Sequence, residues 1–192
     1  MDALDLSDVE EAWPVVGSRD LHRDDWVMAL RSDTIRSPSG EEFDRLVLEH
    51  PGAVIVLAAD DDRRVFCLRQ YRHPARRRFV ELPAGLCDVD GEDPEQVARR
   101  ELVEEAGLEA GAWTHLASTW SSPGISAEVM HFYLARDLRS VDRGDFEPQH
   151  EEADMQTFWT PYDQLLAAVL EGRVTDAPLV TAVLLARVRG EL

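Results

Sequence analysis

The stretch from Arg100 to Leu108, Arg-Glu-Leu-Val-Glu-Glu-Ala-Gly-Leu, leaves this chain the least freedom. The residues around it punctuate one short helix: Asp93 is a good N-cap, Pro94 suits the first helical position, Gln96 completes a capping box, and Gly107 can terminate it. At roughly 100° per residue, Glu101, Glu104 and Glu105 fall on one face, beside an apolar stripe of Ala98, Leu102 and Ala106. Like charges one turn apart cost an isolated helix roughly 0.2–0.5 kcal/mol per pair, so helix propensity does not account for the trio. It reads either as a solvated acidic face or as hard oxygen ligands of the kind that Mg²⁺ and Mn²⁺ prefer. Arg100 stands four residues before Glu104, where it can hold that carboxylate in place.

Composition narrows the partners. With 38 acidic against 20 basic residues and a net charge of −18, nucleic acid and anionic membranes are poor partners. The 192 residues suffice for one domain with a proper core and a small N-terminal extension. Cys67 and Cys87 stand in no metal or redox spacing, which suits a reducing cytosol. The N-terminal MDALDLSDVEE lacks the basic region and apolar run of a signal peptide. The longest apolar runs, Gly52 to Ala59 and Leu179 to Ala186, fall short of the roughly 20 residues that span a bilayer. The expectation is a cytoplasmic protein with no membrane partner.

In chain order, Trp26 to Leu30 and Phe43 to Leu48 read as antiparallel strands outside the main body, separated by the turn-like Ser37-Pro38-Ser39-Gly40. They have little core of their own, and a second subunit would cover them. Gly52 to Ala59 is a buried strand, and Val65 to Tyr71 a second one after the Asp60–Asp62 turn. Arg72, His73, Arg76, Arg77 and Arg78 then concentrate basic side chains, suited to phosphate oxygens or to balancing nearby acids in a solvated loop. Trp113 to Trp120 and Val129 to Ala135 are further strands, joined by a loop that is either a plain connection or substrate-facing. Arg136 to Ala153 reads as a long polar connection ending in an acidic cluster. Met155 to Trp159 gives a last strand, and helices over Pro161 to Glu171 and Asp176 to Val188 close the chain. Leu165, Leu166, Val169 and Leu170 are expected to cover the sheet.

Glu92, seven intervening residues, and Arg100 to Leu108 resemble the Nudix hydrolase signature position by position. The signature's leading glycine is matched by Gly85, but six residues separate it from Glu92 where the pattern has five. The insertion lies before the helix and leaves the carboxylate spacing intact. The resemblance is closest to the ADP-ribose pyrophosphatase subgroup, whose bacterial members include similar chains with this longer loop. It rests on Gln70-Tyr71-Arg72-His73-Pro74, Glu81-Leu82-Pro83-Ala84-Gly85, Ser122-Pro123-Gly124 with Glu128, and His150-Glu151-Glu152-Ala153-Asp154-Met155.

That resemblance implies an α/β/α sandwich with a mixed central sheet over residues 51–192. Residues 1–50 would form a small antiparallel β extension that dimerises and binds adenine. It implies Mg²⁺-dependent hydrolysis of a nucleoside diphosphate sugar, ADP-ribose to AMP and ribose 5-phosphate, with Mn²⁺ as a possible metal. The metal positions map to the Ala84 carbonyl, Glu101, Glu104 and Glu105. The residue that activates water maps to Glu152, with Glu151 the alternative, and Arg72 steadies charge on the leaving phosphate. Trp26 would stack on adenine across a homodimer or else lie in the dimer core, and Arg45, Gly124 and Glu128 are further substrate contacts. Two rival readings are another nucleoside diphosphate sugar or dinucleotide as substrate, and a non-catalytic ligand sensor. The intact Glu101, Glu104 and Glu105 and the lack of a basic surface stand against the sensor.

Overall fold

The computed structural model describes residues 6–144 and 153–192. Its strands and helices are β1 (Val15–His22), β2 (Ala29–Arg36), β3 (Glu42–Glu49), β4 (Ala53–Ala58), β5 (Arg64–Arg72), β6 (Arg77–Glu81), β7 (Ala84–Leu86), α1 (Pro94–Ala106), β8 (Leu108–Trp120), β9 (Val129–Ser140), β10 (Gln156–Pro161), α2 (Tyr162–Leu170) and α3 (Ala177–Val188). They fall into two compact units: Pro51–Ser121 with Glu128–Leu192, and the preceding chain to His50 together with Ser122–Ala127.

The larger unit is built around β4, whose six residues are all apolar. Such a strand has to be covered on both faces. Ile55 and Leu57 pack with Leu165 of α2 and Leu179, Ala182, Val183 and Ala186 of α3. Val54, Val56 and Ala58 point the other way, into a second core with Val97, Ala98 and Leu102 of α1. The sheet holding β4 runs in the order β7-β4-β9-β8, and β10-β5-β6 forms a second, three-stranded sheet. β4 pairs parallel with β9, while β7 with β4 and β8 with β9 are antiparallel. The result is an α/β/α sandwich on a mixed sheet.

The smaller unit is the antiparallel sheet β1-β2-β3. Every residue of β1 is exposed, and polar contacts tie the strands together. Buried Asp33 accepts from Ser18 Oγ at 2.6 Å and from Arg31 Nε at 3.0 Å, and Arg31 also pairs with Glu49. The Leu48 N–H donates to the Ile125 carbonyl at 2.8 Å, seating the 122–127 segment against β3.

Several local expectations need correction. Trp26 lies in a bend before β2, with its N–H on Asp24 Oδ1; the strand starts at Ala29 because Asp24 and Asp25 favour a turn. β1 has no alternation to betray it, since both of its faces are exposed. Arg77 and Arg78 open β6, and the span after Val129 to Ala135 continues as strand to Ser140. The α1 cap runs from the Glu95 N–H to Asp93 Oδ1 at 2.8 Å, where a reciprocal bond from Gln96 was expected. Leu165 is core, but Leu170 is 72 % exposed, because it points about 140° around the helix from Leu165, off the face that Leu165 and Ala168 bury.

Leu102→Ala should therefore lower unfolding free energy by about 3 kcal/mol, since it empties a fully buried site between α1 and β4. Leu170→Ala should change it by less than about 0.5 kcal/mol. Equilibrium urea unfolding of the two variants checks both.

Candidate active site

Two backbone positions of β7 and one face of α1 make the heart of the site. Glu105, in the last turn of α1, is buried, and its Oε2 accepts the Ala84 N–H at 2.9 Å. One turn earlier Glu101 lies against Gly85 so closely that a methyl group added there would land on its carboxyl carbon. Only glycine leaves the carboxylate that space. Burial raises the Glu101 carboxyl to about 7, with the Glu104 charge adding to the effect and Arg100 opposing it.

Arg100 gathers the remaining acids. Its Nη1 lies 2.7 Å from Glu101 Oε1 and 3.5 Å from Glu104 Oε2, and its Nη2 lies 3.6 Å from Glu92 Oε2. That Glu92 oxygen is buried and has no hydrogen-bond partner among the described residues. Also among those residues, no three His, Cys, Asp or Glu side chains are grouped so as to hold a metal ion by themselves. The donors are nonetheless hard carboxylate oxygens around a glycine-lined cradle, with one buried oxygen lacking a hydrogen bond, and this chemistry suits a hard divalent cation.

A second arginine borders the same backbone. Arg72 ends β5, and Glu81, buried at the end of β6, holds one edge of it with both oxygens: Nε lies 3.0 Å from Oε1 and Nη2 2.7 Å from Oε2. Glu105 and Asp176 also act on the Arg72 charge. Arg72, Phe79, Glu81, Ala84, Asp176 and Pro178 line a pocket of about 140 Å³. Asp176 caps α3 by accepting the Leu179 N–H at 2.9 Å, yet burial, helped by the Glu81 charge, raises its carboxyl to about 6.

The structure thus gathers Arg72, Ala84, Glu101, Glu104 and Glu105 within the larger unit, which also contains Glu128. Trp26, Arg45 and Gly124 belong to the smaller one. Trp26 is 62 % exposed, and the Arg45 guanidinium lies over the Phe43 ring at 4.2 Å. Glu151 and Glu152 lie outside the described residues. The basic run disperses: Arg72 goes to Glu81, Arg78 pairs with Asp154, and Arg76 turns the chain with a left-handed φ of 52°. The sequence reading gave no role to Glu81 or Asp176. A carboxylate placed directly before Leu-Pro-Ala-Gly at the end of a strand was the available clue to the first, and Asp176 reads only as a helix cap.

Residues 49–183 match the NUDIX domain family, and the chain belongs to it. It is a Nudix hydrolase, one of a family whose members generally depend on a divalent metal. It is 42 % identical over 175 residues, 91 % of this chain and 83 % of the relative, to the ADP-ribose pyrophosphatase of Mycobacterium tuberculosis (strain ATCC 25618 / H37Rv). A protein named methanol dehydrogenase activator from Bacillus methanolicus is 34 % identical over 157 residues, 82 % of this chain and 83 % of its own. The crystal structure of an ADP compounds hydrolase superposes with a TM-score of 0.76, covering 96 % of this chain and 98 % of that one at 23 % identity, and speaks for the fold alone.

The Glu101 environment has a measurable consequence. A carboxyl raised by burial stabilises the fold fully below its ordinary value of 4.5, and the contribution is lost as pH rises through about 7. In chelator, the melting temperature should fall across that window, Glu101→Gln should flatten the fall, and Mg²⁺ should restore the wild-type protein above about pH 7. Thermal melts across a pH series check this.

Proposed function

We propose that this Nudix hydrolase cleaves the diphosphate of ADP-ribose to AMP and ribose 5-phosphate, using Mg²⁺, with Mn²⁺ as an alternative. The observation that carries the reading is the seating of Glu101 and Glu105, one turn apart on α1, against the Ala84–Gly85 backbone beside Arg72. The name borne by the Mycobacterium tuberculosis relative, at 42 % identity, supports the choice of substrate.

Glu101, Glu105, the Ala84 carbonyl and, with them, Glu104 would hold the metal. Once bound, the ion supplies positive charge against the diphosphate and makes water more acidic. The chain's own residues do the rest. Arg72 steadies charge as it moves onto the leaving phosphate. Glu152, or Glu151 in its place, takes the proton of the attacking water as that oxygen bonds to phosphorus and the bridging P–O bond breaks. Exposed Trp26 offers a ring for adenine, a stack worth about 1–3 kcal/mol, and Arg45, Gly124 and Glu128 complete the nucleotide and ribose contacts.

The protein acts as a cytoplasmic homodimer in this reading, with residues 1–50 forming the subunit contact and the adenine-binding element and 51–192 the hydrolase domain. The exposed Val15, Val16 and Leu21 of β1 supply apolar surface for such a contact, and both cysteines are free thiols. Among the described residues, no helix is long and apolar enough to cross a membrane.

A side-by-side hydrolysis panel of ADP-ribose, GDP-mannose and NADH, with and without Mg²⁺, tests the reading. ADP-ribose should be cleaved fastest, chelation should abolish turnover, and Glu105→Gln should reduce it by at least about 100-fold. Equal rates across the panel would discard the substrate, and an active Glu105→Gln would discard the site.

A further inference from the structure

We infer that Glu81 is a positioning residue for the reaction: it clamps one edge of Arg72 so that the opposite edge of the guanidinium is held ready for a phosphate oxygen pair. The inference rests on the proposed role of Arg72 and names the group that makes that role possible.

A guanidinium has five N–H donors arranged in a plane. Glu81 takes those on one side, with Nε at 3.0 Å from Oε1 and 3.2 Å from Oε2, and Nη2 at 2.7 Å from Oε2. Among the described residues Nη1 makes no hydrogen bond, and its two donors with the second one on Nη2 form the edge that faces away from Glu81. Two parallel N–H groups on that edge match two oxygens of one phosphate. Glu81 is itself 6 % exposed, whereas the Arg72 side chain is half exposed. The buried partner is therefore the fixed one, and the arginine is held by it.

The burial of Glu81 needs an explanation beyond stability, because taking a carboxylate out of water is costly and its partner is a half-exposed arginine. Strand geometry supplies one. Side chains alternate along a strand, and Leu68 pairs with Glu81 while Arg72 pairs with Arg77, so Arg72 and Glu81 lie on the same face of β5 and β6. An unclamped arginine there would sample several rotamers and meet Glu105 and Asp176, both of which act on its charge. Clamping by Glu81 holds the guanidinium in one orientation, and the ordering entropy is spent before substrate arrives.

Kinetics on the best substrate of the panel test this with four proteins: wild type, Arg72→Ala, Glu81→Gln and the double variant. Glu81→Gln keeps the shape but cannot accept along both oxygens, and kcat should fall about 10- to 100-fold with KM changed less than about threefold. In the Arg72→Ala background the same substitution should cost less than about twofold, since the clamp then has nothing to hold. Glu81→Asp, which keeps the charge on a shorter stem, should recover part of the loss and guards against a folding defect in Glu81→Gln. An impaired Arg72→Ala with an unimpaired Glu81→Gln would overturn this inference alone, as would losses that multiply in the double variant. An unimpaired Arg72→Ala would overturn the role of Arg72 and this inference together.

Discussion

The hydrogen bond from the Ala84 N–H to Glu105 Oε2 is the contact on which the site depends. A buried carboxylate must find donors, and an amide left unpaired in the same place would cost about 1–3 kcal/mol. The bond ties the last turn of α1 to β7, and β7 is hydrogen-bonded to β4, so helix and sheet are locked at one point. That lock brings Gly85 under Glu101, and it is why the glycine cannot be replaced without moving the carboxylate.

Around this point the charges are arranged in two nests. Arg100 lies among Glu92, Glu101 and Glu104, and Arg72 among Glu81, Glu105 and Asp176. In each nest the acids outnumber the base three to one. A diphosphate is an anion approaching a protein of net charge −18, so this surplus repels it until a cation intervenes. Burial, with the neighbouring Glu104 and Glu81 charges adding to it, raises the Glu101 and Asp176 carboxyls to about 7 and about 6. Such an excess of acid suits a hard divalent ion, and in the proposed reading Arg72 adds a fixed positive group beside it.

Much of this was legible in the sequence because the relevant signals are local. Asp93, Pro94 and Gly107 mark the ends of α1 correctly, and the spacing of Glu101 and Glu105 puts both on the face that meets β7. The Gly52–Ala59 run announces a strand covered on both sides. What was hidden depends on distant partners. β1 is a strand only because β2 lies alongside it, and its own residues show no buried face. β6 was masked by three arginines whose charge suggests a loop, although pairing with β5 decides their conformation. Leu170 is apolar and helical yet exposed, because it points away from the face that Leu165 and Ala168 bury. Asp176 joins the pocket through the placement of α3, more than ninety positions after Ala84, and no local pattern encodes that.

The parallel pairing of β4 with β9 joins Ala53 to Met130 and Ala58 to Ala135, while the intervening chain contains β5, β6, β7, α1 and β8. During synthesis the most apolar strand of the protein therefore emerges long before its neighbour exists. Until β9 leaves the ribosome, one edge of β4 has bare amides and carbonyls available to any other extended chain. The antiparallel contact with β7 covers the opposite edge first, and α1 can settle on Val54 and Val56, so half of the sandwich can assemble early. The other half has to wait for α2 and α3, which makes the C-terminal helices the closing step of the fold and ties the order of assembly to the order of translation.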